Sequence, residues 1–215
     1  MFPTDVVIVA GARTAMSRYT GSFSDVSAID LAVHASKEAI RRSGADPGDF
    51  DHVIFGNVMQ TSADALYGAR HVGLKAGLKI EAPAVTVNRL CGSGMESIAQ
   101  AAQRLLLGEA SMVLAGGMEN MTQSPFVIRG ARTGLRLGGG ALEDSLMAGL
   151  TDSYCGLPMA MTVSPTSKSL PGPRGKAFRS GACSSRPVMR KIARDGEARF
   201  VEIVERCFDR VHRFA

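Results

Sequence analysis

Cys91 has the setting in this chain best suited to chemistry. It lies in Asn88-Arg89-Leu90-Cys91-Gly92-Ser93-Gly94, where the apolar run Ala84-Val85-Thr86-Val87 gives way through small residues to helical spacing. That arrangement puts a thiol at a helix N-terminus, where unpaired backbone N–H groups point outward and the helix dipole is positive. Such a setting favours the thiolate over a free thiol, whose pKa is about 8.5, and the thiolate is the nucleophile. Gly92, Ser93 and Gly94 leave room for a substrate to approach the backbone. A buried structural cysteine fits the same residues, and taken alone they leave both readings open.

Little else competes with this thiol. Cys155, Cys183 and Cys207 are widely spaced and form no C-x-x-C pair, and no Cys/His cluster has metal-ligand spacing. No metal is expected, and scattered free thiols suggest a reduced, cytoplasmic protein. Met1-Phe2-Pro3-Thr4-Asp5 has no basic or long apolar stretch, so it does not read as a signal peptide. No apolar run approaches the ~20 residues of a membrane helix. The net charge is +5, but residues 1–162 carry 13 Lys/Arg against 15 Asp/Glu, whereas 163–215 carry 12 against 5. A mildly acidic body with a basic tail argues against a nucleic-acid partner.

The elements that must position Cys91 alternate between strand and helix. Val6-Val7-Ile8-Val9, Val53-Ile54-Phe55, Ala84-Val85-Thr86-Val87 and Met112-Val113-Leu114-Ala115 are short apolar runs typical of buried parallel strands. A helix is expected from about Ser27 to Ser43, with Ser27 and Asp30 as its start signal and Gly44 as its stop. Others are expected near 64–77 and 92–107. The order implies β-α-β units and a mainly parallel sheet. The helix after Cys91 has few charges, so it is expected to be buried on most sides, with the thiol deep in a pocket.

From Asn120 to about Met161 the pattern loosens into loops, with a basic stretch over 129–136 and Gly138-Gly139-Gly140. The triple glycine has no Lys-Ser/Thr after it, so it is not a P-loop. Residues 163–176 are rich in Pro, Ser and Gly and read as loop or disorder. Residues from about Pro187 to Arg213 have an amphipathic helical pattern.

Five stretches, in order, resemble the thiolase family of acetyl-CoA acetyltransferases and 3-ketoacyl-CoA thiolases. They are Val9-Ala10-Gly11-Ala12-Arg13-Thr14, Gly56-Asn57-Val58-Met59-Gln60, Asn88 to Gly94, Ala115-Gly116-Gly117-Met118-Glu119-Asn120-Met121, and Pro158-Met159-Ala160-Met161-Thr162. The context of Cys91 favours thiolases over the related ketoacyl synthases. The resemblance implies a thiolase-like N-terminal α/β domain over 1–119, with a mainly parallel mixed sheet and a buried helix after the nucleophile. A partial loop domain over 120–162 and an aberrant, poorly ordered tail over 163–215 complete the expected organisation.

The resemblance also implies chemistry. Cys91 would attack an acyl-CoA thioester and carry the acyl group, with its own N–H contributing to an oxyanion hole, as in fatty acid metabolism. Leu150 and Met159 match positions that line the acyl and pantetheine pocket. Coenzyme A enters as part of the substrate, and no covalently bound cofactor is implied. Family members form dimers or tetramers, and the 129–136 loop matches a region of tetramer contact.

The chain also departs from the family. The family's second half brings a Gly-His-Pro histidine, a Cys-x-Gly-Gly cysteine and an Asn-Glu-Ala-Phe motif, and none of these occurs here. His34, His52, His71 and His212 are not followed by proline, and the other cysteines have no glycine-rich sequence after them. After Thr162 the sequence leaves the family pattern in a way a reading-frame shift would produce. Ala198 to Val204 is similar to a family stretch at a comparable distance from Met159. The expectation is therefore a chain inactive alone. A split enzyme with a separate second half and a non-catalytic module using the family's dimer surface are the alternatives.

Overall fold

A computed structural model describes residues 6–162 and, as backbone, 198–203. The first of its two compact units contains a five-stranded sheet. Its strands are β1 (Val6–Gly11), β2 (His52–Gly56), β3 (Ala84–Val87), β4 (Met112–Gly117) and β9 (Ala198–Ile203), in the order β1-β9-β4-β2-β3. Every pairing is parallel. Side chains alternate across the sheet, as strand geometry requires. Val53, Phe55 and Leu114 pack with α1 (Ala28–Ser43) and α2 (Gly68–Ala76) in one core. Ile54, Val113 and Ala115 pack with Ala101 and Leu105 of α3 (Ser93–Leu106) in the other. The apolar runs of β2 and β4 are continuous because both of their faces are buried.

Local signals end the helices where the sequence places them. Ser27 caps α1, its Oγ accepting the Asp30 N–H at 3.0 Å, and Gly44 stops it at φ 70°. Gly77, at φ 100°, stops α2, and α3 ends at Leu107 ahead of Gly108.

Two expectations require correction. The helix after Cys91 is not buried on most sides. α3 buries one face, with Ser93, Ser97, Ala101 and Leu105 against the sheet, and leaves Met95 72% and Leu106 43% exposed. Its few charges describe a helix suited to two partners, and the sheet supplies one. In addition, residues 198–203 do not continue a helix. They form β9, paired in parallel with β1 on one side and β4 on the other. Two backbone ladders outweigh a helical spacing in a segment where Phe200, Val201 and Ile203 also suit a strand. The other residues of the tail, with Cys183, Cys207 and His212, lie outside the described residues.

The first unit also carries β5 (Phe126–Val127) and β6 (Glu143–Asp144), an antiparallel pair that closes an exposed loop. Arg129 forms a two-pronged ion pair with Glu143 at 2.8 and 2.6 Å, beside an open depression of about 450 Å³ that Arg136 also lines. α4 (Ser145–Leu150) follows. In the second unit, β7 (Thr151–Asp152) and β8 (Leu157–Pro158) form a hairpin that leads into α5 (Met159–Thr162).

A close approach of backbone to backbone lies where β2 meets α3. A Cβ on Gly56 would fall 2.5 Å from the Ser93 carbonyl carbon, a backbone atom with no rotamer to give way. Gly56→Ala is therefore expected to push the start of α3 off the sheet and to destabilise the chain by about 1–3 kcal/mol in urea unfolding.

Candidate functional site

The site is built at the carboxyl ends of β3, β2 and β4, where ligands gather in open α/β sheets. Val87, Gly56 and Gly117 lie side by side in register across these three strands. Gly117, like Gly56, is at the start of α3, with its Cβ position 3.4 Å from Gly94 Cα. The two glycines form the floor on which the helix begins.

Between Val87 and α3 the chain reverses through Asn88–Gly92. Leu90 adopts a left-handed conformation at φ 50°, rare for a residue with a branched side chain. The turn is tied at several points. Asn88 Oδ1 accepts the Leu90 N–H at 3.0 Å, and Ser93 Oγ accepts the Arg89 N–H at 2.8 Å while donating to the Leu90 carbonyl at 2.6 Å. Ser97 Oγ, fully buried, reaches the Gly116 carbonyl at 2.7 Å. Arg89 pairs with Glu96 on the first turn of the helix. Strain at Leu90, held by bonds on both sides, is the kind of cost that structures carry at functional positions.

Cys91 is the residue this strained turn presents. It stands between a strand end and a helix start, as its sequence context predicts, but its side chain is exposed and not at the bottom of a pocket. The reason is the open outer face of α3: only the sheet side of the helix is covered, and the thiol stands at the edge of that cover.

The other predicted site residues belong to the second unit. Thr151 pairs with Pro158 in its hairpin, so Leu150 and Met159, each one residue outside that pair, emerge together at the hairpin's open end. Both are half-buried. Among the described histidines, His34 is exposed on α1, and His71 holds Asp64 at 3.0 Å. His52 opens β2, at the opposite end of that strand from Gly56.

Sequence reasoning quoted Asn57 and Glu119 only as parts of motifs, and the structure brings them together beside the floor. Glu119 follows β4 by two residues. Its carboxylate accepts the Val58 N–H at 3.0 Å, the Met59 N–H at 2.9 Å and the Asn57 side-chain amide at 3.2 Å. Asn57 is itself buried; its amide also reaches the Met118 carbonyl at 2.9 Å, and its backbone N–H reaches the Val87 carbonyl at 3.0 Å. Burial pushes the Glu119 carboxyl from its ordinary 4.5 up to about 7, against the pull of the Val58 and Met59 N–H groups. A glutamate in the residues that directly follow a buried strand was the available signal. Asn120, next in sequence, ties the segment to the Phe23 and Val26 carbonyls at 2.9 and 2.8 Å.

Comparison with known proteins settles the family. The thiolase N-terminal domain model matches residues 6–176. The chain belongs to the thiolase family. It is 48% identical over 158 residues to the mitochondrial 3-ketoacyl-CoA thiolase of Homo sapiens, covering 73% of this chain and 40% of that protein. With the beta-ketothiolase BktB of Cupriavidus necator it shares 39% identity over 164 residues, covering 76% of this chain and 42% of the relative. Among solved structures, human mitochondrial 3-ketoacyl-CoA thiolase in complex with CoA superposes with a TM-score of 0.71 at 48% identity, over 73% of this chain and 40% of that one. This thiolase-family chain thus spans about 40% of the length of the curated relatives it matches most strongly. The Cys91 turn and the Glu119 cluster both lie inside the matched region.

The Glu119 titration gives a signed prediction. Between pH 4.5 and about 7 the folded chain keeps this proton and the unfolded chain loses it. Stability from this group therefore falls as pH rises through that window, by up to about 3 kcal/mol, and levels off at higher pH. Urea unfolding of the parent and of Glu119→Gln should differ by this slope, present in the parent and missing in the variant. Equal slopes would show that the carboxyl is not held protonated.

Proposed function

We propose that this chain performs the acyl-accepting step of thiolase-type transfer between CoA thioesters, with Cys91 as the acceptor. The placement of Cys91 on a strained turn between β3 and α3, within a thiolase N-terminal domain, carries this reading. The Cys91 thiolate adds to the thioester carbonyl, the carbonyl oxygen takes the charge, and the tetrahedral adduct collapses by expelling the CoA thiolate. A new thioester forms as the old one breaks, and the thiol proton passes to solvent. Attacking and leaving groups are both thiolates of similar basicity, so the exchange is close to balanced. The Cys91 N–H is the proposed donor to the developing oxyanion, since the Gly92 and Ser93 N–H groups already bond the Arg89 and Leu90 carbonyls. CoA thioesters are the proposed substrates, in keeping with the CoA complex of the human relative. Leu150 and Met159 are proposed to contact the acyl and pantetheine portion.

The second step, condensation with another acyl-CoA or its reversal, needs groups that move a proton. The 215 residues contain no Gly-His-Pro or Cys-x-Gly-Gly motif to supply them. Each proton-transfer group contributes ~10²–10⁴ in rate, so these residues on their own are proposed to stop at the acyl-enzyme. A separate chain that supplies the second half is the second reading, favoured by the open apolar face of α3 at Met95 and Leu106.

Incubation with acetyl-CoA should add one acetyl group to the peptide containing Cys91 and release free CoA without sustained acetoacetyl-CoA formation, and Cys91→Ser should abolish both events. No acetylation of a Cys91 that iodoacetamide still labels would refute the reading, and steady turnover by the chain alone would refute the arrest.

A further inference from the structure

We propose that Glu119 is a positioning residue for the Cys91 turn, acting through Asn57. The inference rests on the reading of Cys91 as acyl acceptor and assigns work to a half-buried group which that chemistry leaves unused. A continuous set of bonds joins the two. The Glu119 carboxylate holds the Asn57 side-chain amide and the Val58 and Met59 N–H groups. The Asn57 backbone N–H in turn holds the carbonyl of Val87, the last residue before the turn. The Met118 N–H closes the set by bonding the Gly56 carbonyl at 2.9 Å. Gly56 is the residue against which Ser93 rests.

The position of the turn therefore depends on both ends of the floor staying in register. Val87 and Gly56 carry its entry and its seat, and Glu119 fastens the segment immediately beyond Gly56. The groups facing the carboxyl are neutral donors: the Asn57 amide and the N–H groups of Val58 and Met59 from the segment after β2. The neighbouring Asn120 amide is directed away, to Phe23 and Val26. No charged side chain is among the causes of the Glu119 shift. Ionisation thus adds a charge that the N–H donors offset only in part, and burial, the larger effect, then favours release of the carboxylate to water. The clamp is firm when the carboxyl is protonated, slackens as pH rises from 4.5 to about 7, and changes little above that.

Amide hydrogen exchange of the full chain, read by mass spectrometry, tests this. In Glu119→Ala, protection falls over 57–59 directly. The proposal expects protection over 88–93 to fall with it, roughly threefold to tenfold, the effect of one lost hydrogen bond. Protection in α1 stays at the parent level. In the parent, protection over 88–93 drops as pH rises from 4.5 to about 7 and then levels off, whereas in Glu119→Gln, neutral throughout, it shows no such drop. The glutamine variant also keeps the test decisive if the alanine variant fails to fold. Loss confined to 57–59, or a pH-dependent drop that persists in Glu119→Gln, overturns the proposal. Acetylation plays no part in this readout, so the positioning role and the acyl-acceptor reading fail separately.

Discussion

The approach of α3 to the sheet depends on the missing side chain of Gly56. β2 and β4 end in Gly56 and Gly117; the start of α3 occupies the volume that a Cβ on Gly56 would fill and lies in contact distance of one on Gly117. This contact determines how far the chain must travel between β3 and the helix, and hence how sharp the turn is. Five residues make the reversal, one of them, Leu90, in a left-handed conformation. A longer, looser connection would relieve Leu90 but would move the thiol away from the helix start. Close packing at the floor is therefore the condition for presenting Cys91 at the start of the helix.

The same closeness creates a polar problem. Strands that end under a helix leave carbonyl and N–H groups which water cannot reach, and these must find partners within the protein. Asn57, Ser97 and Asn120 each meet part of that demand with a side chain. Asn57 is 2% exposed and Ser97 fully buried, so almost no solvent competes for their bonds. Glu119 meets three donors at once, which a neutral hydroxyl could not do. Its raised pKa is the physical price of that arrangement, since the geometry that satisfies the N–H groups also removes the carboxyl from water.

Much of this was legible in the sequence where the signal is local. Ser27 and Gly44 mark the ends of α1 because a capping hydroxyl and a left-handed glycine act within one turn of chain. The runs in β2 and β4 identify a doubly covered sheet for the same reason. What depended on distant contacts was less legible. The composition of α3 predicts burial on several sides, but the number of surfaces that cover it is a property of everything packed around it. Residues 198–203 carry a helical spacing until two parallel neighbours make a strand of them. Glu119 shows in the sequence only as an acid just after a buried strand, and its partners stay hidden because they lie about sixty residues away along the chain.

On the proposed reading of Cys91 as acyl acceptor, its exposure favours one part of the reaction over the other. Thioester exchange between two thiolates is nearly balanced and needs modest help, so it tolerates a wet site. Forming a carbanion beside a thioester does not, because donors aimed at a developing negative charge are worth far less where water screens them. Water at an open site also competes with the second substrate for the acyl group. The strained turn and its floor would orient such a nucleophile; with Cys91 exposed, they do not exclude solvent. A surface that covers α3 and closes over Cys91 would therefore contribute twice, bringing proton-moving groups and lowering the local dielectric in which they act.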